Sequence, residues 1–320
     1  MTTICLAVIA RNEEHALPCC LRSVLRSVDI AESRMPLRFD VVVVADNCTD
    51  RTAQVAQSFS RVRVMASTGG KVEAQRLVAN KTPFVVFSDA DILVTEYAVT
   101  VVCQAMLEDQ QLQIAYPRKR PLPPARTTLL ANAIHCYNRV NGFQEARRYF
   151  NGKFFAIRDW RVPTLEDLRP RLGSLSADRF YDFHAGMKVD DIWLSRDILR
   201  RCGPGGIREV EGGTIWFRPS ETLTGMYRTY HRMRREIERL NQMFPETVTV
   251  HQQRGYDWAV VRRAPRRDRW LWRFFRIALG FCQLRYRCEK YYYQKLSPTT
   301  CNAWKPIEET KQSLDIVLPA

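Results

Sequence analysis

Two aspartates, Asp89 and Asp91, stand one residue apart after the apolar segment PFVVFS at 83–88. Side chains alternate between the two faces of an extended segment, so both carboxylates project to the same side. Like charges this close repel each other unless a cation lies between them or water solvates both. A solvated acidic turn is the ordinary alternative, because short acidic side chains bond readily to nearby backbone groups. The pair by itself therefore leaves two readings open, a cation site and a hydrated turn.

Polar residues also follow three other segments rich in β-branched residues, at 4–10, 39–45 and 62–65. These polar residues are Arg11-Asn12-Glu13, then Asp46 and its successors, then Thr68-Gly69-Gly70-Lys71. Segments at 13–28, 52–59 and 73–79 alternate with the strands and have helical character. Alternating strands and helices predict a parallel α/β sheet, which binds ligands beyond the carboxyl ends of its strands. We therefore expect a nucleotide site there, in which the carboxylate pair could hold a divalent metal against a diphosphate.

The middle of the chain is less regular. Residues 117–126 (PRKRPLPPAR) are rich in proline and arginine and predict a loop. A helix is predicted at 127–148, and a turn leading into a strand at 151–160. Asp190 and Asp191 begin a helical segment at 189–201, where acids complement the positive end of the helix dipole. Stabilising that helix end is one reading of this second acid pair.

In their order and spacing these segments resemble the family 2 glycosyltransferases with the GT-A fold. The resemblance covers residues 4–94, and residues 150–200 by shorter motifs. IARNEE is similar to P-x-Y-N-E, VVVVADNCTDRTA to V-V-D-D-x-S-x-D-x-T, GGKVEAQR to G-K-x-x-A-x-N, and SDAD to D-x-D. VDDIWLS resembles T-E-D-x-x-L, the segment that bears the general base. The resemblance implies a Rossmann-like, mostly parallel sheet flanked by helices, and an inverting, metal-dependent enzyme of the hexosyltransferase class.

The resemblance also implies a role for each matching residue. Asp191 would be the catalytic base, with Asp190 beside it as the second acid. Asp91 and Asp89 would hold Mg²⁺ or Mn²⁺, Glu13 and Asp46 would contact the base and ribose, and Lys71 or Arg76 would contact the diphosphate of a nucleoside-diphosphate sugar. The implied donor site comprises Ala10, Arg11, Glu13, Asp46, Lys71, Arg76 and Asp89.

The sequence departs from the family motifs at several positions. Ala45 replaces the first Asp of D-D-x-S, and Cys48 replaces its Ser. Arg76 stands where the family has Asn. Val189-Asp190 replace Thr-Glu but keep the acid pair. The Q-x-x-R-W signature of processive members is absent, and YRTYHRMRREIERL occupies its region.

Two other functions fit parts of the sequence. A sugar-phosphate nucleotidyltransferase would use a related sheet, but it needs a Gly-rich phosphate loop where ARNEEH has no glycine. A nucleic-acid-binding protein would use arginines and aromatic residues near the C-terminus, although no RNP, zinc-finger or helix-turn-helix pattern occurs. We therefore predict a glycosyltransferase without a nucleic-acid partner. Its acceptor stays open between a lipid-linked or cell-envelope glycan and a soluble small metabolite.

Composition fits a globular protein. The chain has 320 residues, 46% of them hydrophobic, which is enough for one large core or a core with an appendage. No uncharged apolar run reaches the roughly 18 residues of a membrane span. The ten cysteines contain no C-x-x-C pair and are interpreted as reduced structural thiols. We expect a cytoplasmic location, with peripheral attachment to the inner face of the membrane as an option.

The net charge of +15 is concentrated near the C-terminus, where residues 228–295 hold 17 Lys or Arg and 6 Asp or Glu. One stripe of a predicted helix at 269–287 is polar, and its other faces are apolar. The stripe consists of Arg269, Arg273, Arg276, Gly280, Gln283 and Arg287. Such a helix packs on the core, lies at an anionic membrane surface or docks on a partner.

These patterns predict two domains. A GT-A catalytic domain is expected at 1–225, with a nucleotide-binding half at 1–94 and an acceptor half at 95–225. A basic, aromatic-rich helical extension is expected at 226–320.

Overall fold

The structure, a computed structural model, describes residues 1–140, 149–173, 175, 179–183, 186–249, 258–297, 299–301, 308–312 and 314. Within these residues, eight strands form one sheet in the order β3-β2-β1-β4-β7-β6-β8-β5. The strands are β1 (Thr2–Ala10), β2 (Leu37–Asp46), β3 (Val62–Ser67), β4 (Val85–Asp89), β5 (Ile92–Val94), β6 (Ile114–Pro121), β7 (Phe154–Ile157) and β8 (Ile207–Phe217). Strands β3, β2, β1 and β4 are parallel, and β7 joins β4 in the antiparallel direction.

Helices cover both faces of this sheet. They are α1 (Leu17–Arg34), α2 (Thr52–Gln57), α3 (Lys71–Arg76), α4 (Ala98–Glu108), α5 (Leu129–Val140), α6 (Leu165–Leu172), α7 (Asp190–Cys202), α8 (Leu223–Met243), α9 (Trp258–Arg263) and α10 (Arg266–Lys295). Alternate residues of β1 enter two separate cores, one shared with α1 and α4 and the other with α3, α5 and α7. A strand covered on both faces is apolar at every position, which explains the unbroken run from Ile4 to Ala10.

The second half of the sheet curls back toward the first. Only Ala90 and Asp91 separate β4 from β5, yet these strands are fourth and eighth in the sheet order. Three residue steps span at most about 11 Å. The far edge of the sheet must therefore return to the carboxyl end of β4, and Asp91 lies at this junction.

The four strands predicted in the first ninety residues all form, as β1 to β4. The predicted helix at 13–28 is α1, which begins at Leu17 with Pro18 in its first turn, a favourable place for proline. The predicted helices at 52–59 and 73–79 are α2 and α3. The predicted helix at 127–148 is α5, and its residues 141–148 lie outside the described part of the chain.

The prediction of a loop at 117–126 is wrong for residues 117–121, which belong to β6. This segment pairs with β8, and the register shifts between Pro117 and Arg118. A bulge tolerates a residue that lacks an N–H group, so the prolines did not prevent strand formation.

The helix predicted at 269–287 lies within α10, in the basic C-terminal part. α10 packs along α5 and α8, and the rings of Tyr137 and Phe275 stack with centroids 3.9 Å apart. One face of α10 is buried, through Leu271, Trp272, Phe275, Ala278, Cys282 and Tyr286. No helix among the described residues has the length and apolar character needed to cross a bilayer.

Candidate functional site

The carboxyl ends of the parallel strands bring the predicted site residues to one edge of the sheet. Ala10 pairs with Ala45 at the end of β1 and β2, and Ile9 pairs with Asp89 at the end of β4. The residues that follow each strand therefore share this edge, as the alternating pattern predicted. Asp89 is the last residue of β4, and Asp91 follows it by two positions.

A lysine that the sequence analysis did not single out lies between these two aspartates. The Nζ of Lys153 is 2.9 and 3.2 Å from the two carboxylate oxygens of Asp91 and 3.4 Å from Oδ2 of Asp89. The other oxygen of Asp89 pairs with Lys71, at 2.9 Å from Nζ. The carboxylate pair thus converges on a cation, and in this structure that cation is an ammonium group.

The pairing of β7 with β4 places Lys153, the residue before β7, at this position. β7 is antiparallel to β4, and the N–H of Asp89 donates to the carbonyl oxygen of Lys153 at 2.7 Å. One residue earlier, the carbonyl oxygen of Gly152 accepts from Lys71 Nζ at 3.1 Å. A lysine directly before a strand was the available signal, but its neighbours come from a pairing between distant segments.

The acid pair at the start of α7 divides into two environments. Asp190 is buried, accepts from Gln75 Nε2 at 2.7 Å and lies 3.7 Å from Lys71 Nζ. Asp191 is half-buried and accepts from the N–H of Ile192 at 2.9 Å. Within the described residues, no side chain donates a hydrogen bond to the Asp191 carboxylate. Asp190 is therefore held inside the fold, while Asp191 has an oxygen available to a ligand.

We define the carboxylate cluster as Asp89, Asp91, Asp190 and Asp191 together with Lys71 and Lys153. The pKa values of its members follow from burial and from these ion pairs. Burial would raise the pKa of Asp89, but Lys71 and Lys153 outweigh it and hold that pKa below the usual value. Burial lowers the pKa of Lys153, but Asp91 and Asp89 outweigh it and the pKa is raised overall. Burial and the Asp190 charge raise the pKa of Asp191. A carboxylate with a raised pKa is a stronger base, which suits proton abstraction.

Helix α8 contributes one more cation. Burial lowers the pKa of the Arg232 guanidinium, and the charges of Asp89, Asp91 and Asp191 oppose this shift. The charges of these three aspartates therefore act on Arg232. Arg232 lies in YRTYHRMRREIERL, the segment at the place of the absent Q-x-x-R-W motif.

The residues after β1 meet a segment from the C-terminus. Lys311 Nζ is 3.0 Å from Oε1 of Glu13 and also donates to the carbonyl oxygens of Arg11 and Asn12. Burial and the charge of Asp91 raise the pKa of Glu13 to about 8, although Lys311 lowers it. The Arg11 side chain is exposed, and Ala10 is buried. Lys311 therefore covers the place where the sequence predicted contacts to the base of the donor.

Two further predicted donor residues differ in their placement. Asp46 is buried at the end of β2 and accepts from the N–H of Gly70 at 2.8 Å, which holds the loop that carries Lys71. Arg76 lies elsewhere: it pairs with Glu73, donates to the carbonyl oxygen of Val162 at 3.0 Å and faces the Trp160 ring. The structure does not bring Arg76 to the carboxylate cluster, and its contact with a diphosphate stays a prediction.

The cluster can bind a cation and an anionic group side by side. Asp89 and Asp91 already bracket the Lys153 ammonium, and oxygen ligands of this type suit Mg²⁺ or Mn²⁺. The residues therefore fit a divalent metal, provided that Lys153 leaves them. Lys71, Lys153 and Arg232 could pair with phosphate oxygens.

Comparison with known proteins identifies the family and the fold. The family model "Glycosyl transferase family 2" matches residues 5–169. No curated protein sequence matches the chain significantly. Mannosyltransferase PcManGT from Pyrobaculum calidifontis, in complex with GDP-Man and Mn²⁺, has a TM-score of 0.50 at 14% identity, covering 88% of this chain and 75% of that chain.

Two other solved structures are similar to this chain. Mannosyl-3-phosphoglycerate synthase from Rubrobacter xylanophilus has a TM-score of 0.47 at 20% identity, covering 75% of each chain. TarS 1-349 from S. aureus has a TM-score of 0.43 at 15% identity, covering 93% of this chain and 92% of that chain. The predicted fold is confirmed as GT-A, and with a family match over more than half of its length the chain belongs to glycosyl transferase family 2.

Proposed function

We propose that this glycosyltransferase moves a sugar from a nucleoside-diphosphate sugar to an acceptor hydroxyl, with inversion at the anomeric carbon. The observation that carries the proposal is the cluster of Lys71 and Lys153 on Asp89 and Asp91, next to an available carboxylate on Asp191. It places positive charge beside a candidate base. Transfer of a sugar from a nucleoside-diphosphate sugar needs positive charge to stabilise the leaving diphosphate and a base to take the proton of the acceptor.

The leaving diphosphate gains negative charge as the bond to the sugar breaks. Lys71 lies where it can stabilise this charge, because Asp190 and the carbonyl oxygen of Gly152 hold its ammonium beside Asp89. A Mg²⁺ or Mn²⁺ ion on Asp91 and Asp89 would supply Lewis-acid stabilisation of the same charge. Asp46 would act nearby by holding the Gly70–Lys71 backbone, in addition to the ribose contact implied by the sequence.

The acceptor hydroxyl must lose a proton as it attacks the anomeric carbon. We assign this proton to Asp191, whose raised pKa and available oxygen suit a general base. Asp190 acts as a positioning residue, because its carboxylate is engaged by Gln75 and Lys71. A single displacement in which the hydroxyl and the diphosphate lie on opposite faces of the sugar inverts the anomeric carbon.

We further propose that one face of α10 contacts an anionic membrane surface. Opposite its buried face, large apolar side chains point to solvent: Trp270 is 54% exposed, Ile277 60%, Phe281 64% and Leu284 60%. Arg273, Arg285 and Arg287 are exposed beside them. Apolar side chains flanked by arginines, with aromatic residues near both helix ends, match the chemistry of an anionic lipid interface. This placement favours a lipid-linked or cell-envelope acceptor over a soluble metabolite.

The proposal is tested by incubating the purified protein with Mn²⁺ and a panel of UDP- and GDP-sugars, and measuring release of the nucleoside diphosphate. We expect slow hydrolysis of one donor, with water as the acceptor. Release of pyrophosphate from a nucleoside triphosphate and a sugar phosphate would instead indicate a nucleotidyltransferase. Salt-sensitive binding to DNA or RNA, without hydrolysis of any donor, would indicate the nucleic-acid-binding alternative.

A further inference from the structure

We infer that Lys153 couples metal binding to donor binding, because its ammonium occupies the carboxylates of Asp89 and Asp91 until a metal and a diphosphate arrive together. The inference rests on the proposed function and assigns a task to a residue that no family motif in the sequence covers. In this scheme Lys153 contacts the two aspartates in the empty site and the diphosphate in the loaded site.

The contacts of Lys153 are those that a metal would need. Its Nζ touches both oxygens of Asp91 and one oxygen of Asp89. An ammonium and a divalent ion cannot occupy this place together, since two like charges would share the same carboxylates. A metal that binds alone must therefore break the Lys153 contacts and separate its ammonium from both carboxylates.

A diphosphate supplies that compensation. The Lys153 side chain is 26% exposed, so it meets solvent as well as the two aspartates. The ammonium stands at the end of a flexible four-carbon side chain. The Lys153 backbone is fixed, because its carbonyl oxygen accepts a hydrogen bond from the N–H of Asp89. A small rotation of the side chain would move the charge from the carboxylates to a neighbouring phosphate oxygen. Lys71 is held by Asp89, Asp190 and the carbonyl oxygen of Gly152, whereas Lys153 is held by Asp89 and Asp91, so the scheme assigns the movement to Lys153.

The scheme has a thermodynamic consequence. If the metal and the diphosphate each favour the same displaced position of Lys153, each must raise the affinity for the other by the same factor. Such coupling usually amounts to about 5- to 150-fold. Removal of the ammonium should strengthen binding of the metal alone and weaken binding of the diphosphate. A residue with a purely structural role would weaken both when it is lost.

The experiment compares the wild-type protein with Lys153→Met. Titration with Mn²⁺ alone, followed by electron paramagnetic resonance of free Mn²⁺, should give about 10-fold tighter binding in the variant. Calorimetric titration with UDP and with GDP at saturating Mn²⁺ should give about 10-fold weaker nucleotide binding in the variant. Circular dichroism checks that the variant is folded, and Lys153→Gln replaces it if the methionine is not tolerated.

Lys81→Met is the matched control, because Lys81 is an exposed lysine in the turn before β4. It should change neither affinity. Equal or weaker Mn²⁺ binding by Lys153→Met would overturn the inference, as would unchanged nucleotide binding. If neither protein binds UDP or GDP, the proposed donor chemistry fails, while the Mn²⁺ titration still decides whether Lys153 competes with the metal.

Discussion

Gly152 and Asp191 approach each other so closely that a methyl group on Gly152 would lie 2.7 Å from Cβ of Asp191 and 3.1 Å from its Oδ2. Contacts of this length force one of the two residues to move. Gly152 also accepts a hydrogen bond from Lys71 and precedes Lys153 in the chain. The backbone at this glycine therefore joins the proposed base to both lysines of the site.

Gly152→Ala should displace Asp191 and reduce sugar-nucleotide hydrolysis by about 100-fold, since small misplacements of a reacting group have large effects on rate. Nucleotide affinity should change less than turnover. Gly205→Ala is the control, because a methyl group there would contact nothing within 4 Å. Full activity in Gly152→Ala would show that the position of Asp191 is not critical.

Asp191→Asn should slow turnover by about 10²- to 10⁴-fold, the usual contribution of a positioned general base. Binding of UDP or GDP should stay within about threefold, because a base acts in the chemical step. Both quantities are measured on the same preparation. Unchanged turnover would return Asp191 to the role of a residue that stabilises the start of α7.

The activity should rise with pH as Asp191 loses its proton, because only the carboxylate can act as a base. Burial and the negative charge of Asp190 raise the pKa of Asp191. Asp190→Asn removes that charge, so the pKa should fall and the acidic limb of the rate profile should move to lower pH. Asp197→Asn, on the same helix and paired with Arg201, should leave the profile in place. A shift to higher pH would contradict the assignment.

Asp91→Asn should remove most activity, by about 100-fold or more, together with the Mn²⁺-dependent part of nucleotide binding. The fold should persist, since Asp91 lies at the open edge of the sheet rather than in either apolar core. Asp40→Asn, in the exposed pair with Arg63, is the control. Normal turnover of Asp91→Asn at saturating Mn²⁺ would refute a metal site on this carboxylate.

Ile277→Ser with Phe281→Ser should abolish sedimentation of the protein with vesicles of phosphatidylcholine and phosphatidylglycerol. Hydrolysis of a free sugar nucleotide should be unchanged, because both side chains point to solvent on α10. Salt should release the wild-type protein, since charge attraction is screened within about 10 Å at 0.1 M ionic strength. Dimerisation that these substitutions abolish, without vesicle binding, would assign the face to a second copy of the chain.

Local sequence was sufficient for the parallel half of the fold and for much of the site. The β-branched runs of β1, β2 and β4 are buried on both faces, and such burial leaves a pattern that one segment carries by itself. The motifs after these strands place Asp46, Lys71 and Asp89 at one edge, because parallel strands end on the same side. The acid pair at 190–191 likewise begins a helix, as predicted.

Only the tertiary structure decided which cation the aspartates meet and which face of α10 is buried. Lys153 reaches Asp91 because β7 pairs with β4, a contact between residues more than sixty positions apart that no local pattern encodes. Local sequence predicts a loop for residues 117–121 of β6, because the prolines favour one until the pairing with β8 is known. The sequence of α10 shows apolar residues around most of the helix, but only the packing of α5 and α8 selects the side that is buried. The periodicity of apolar residues indicates which secondary structure a segment forms by itself. Pairing between distant segments depends instead on how the whole chain packs.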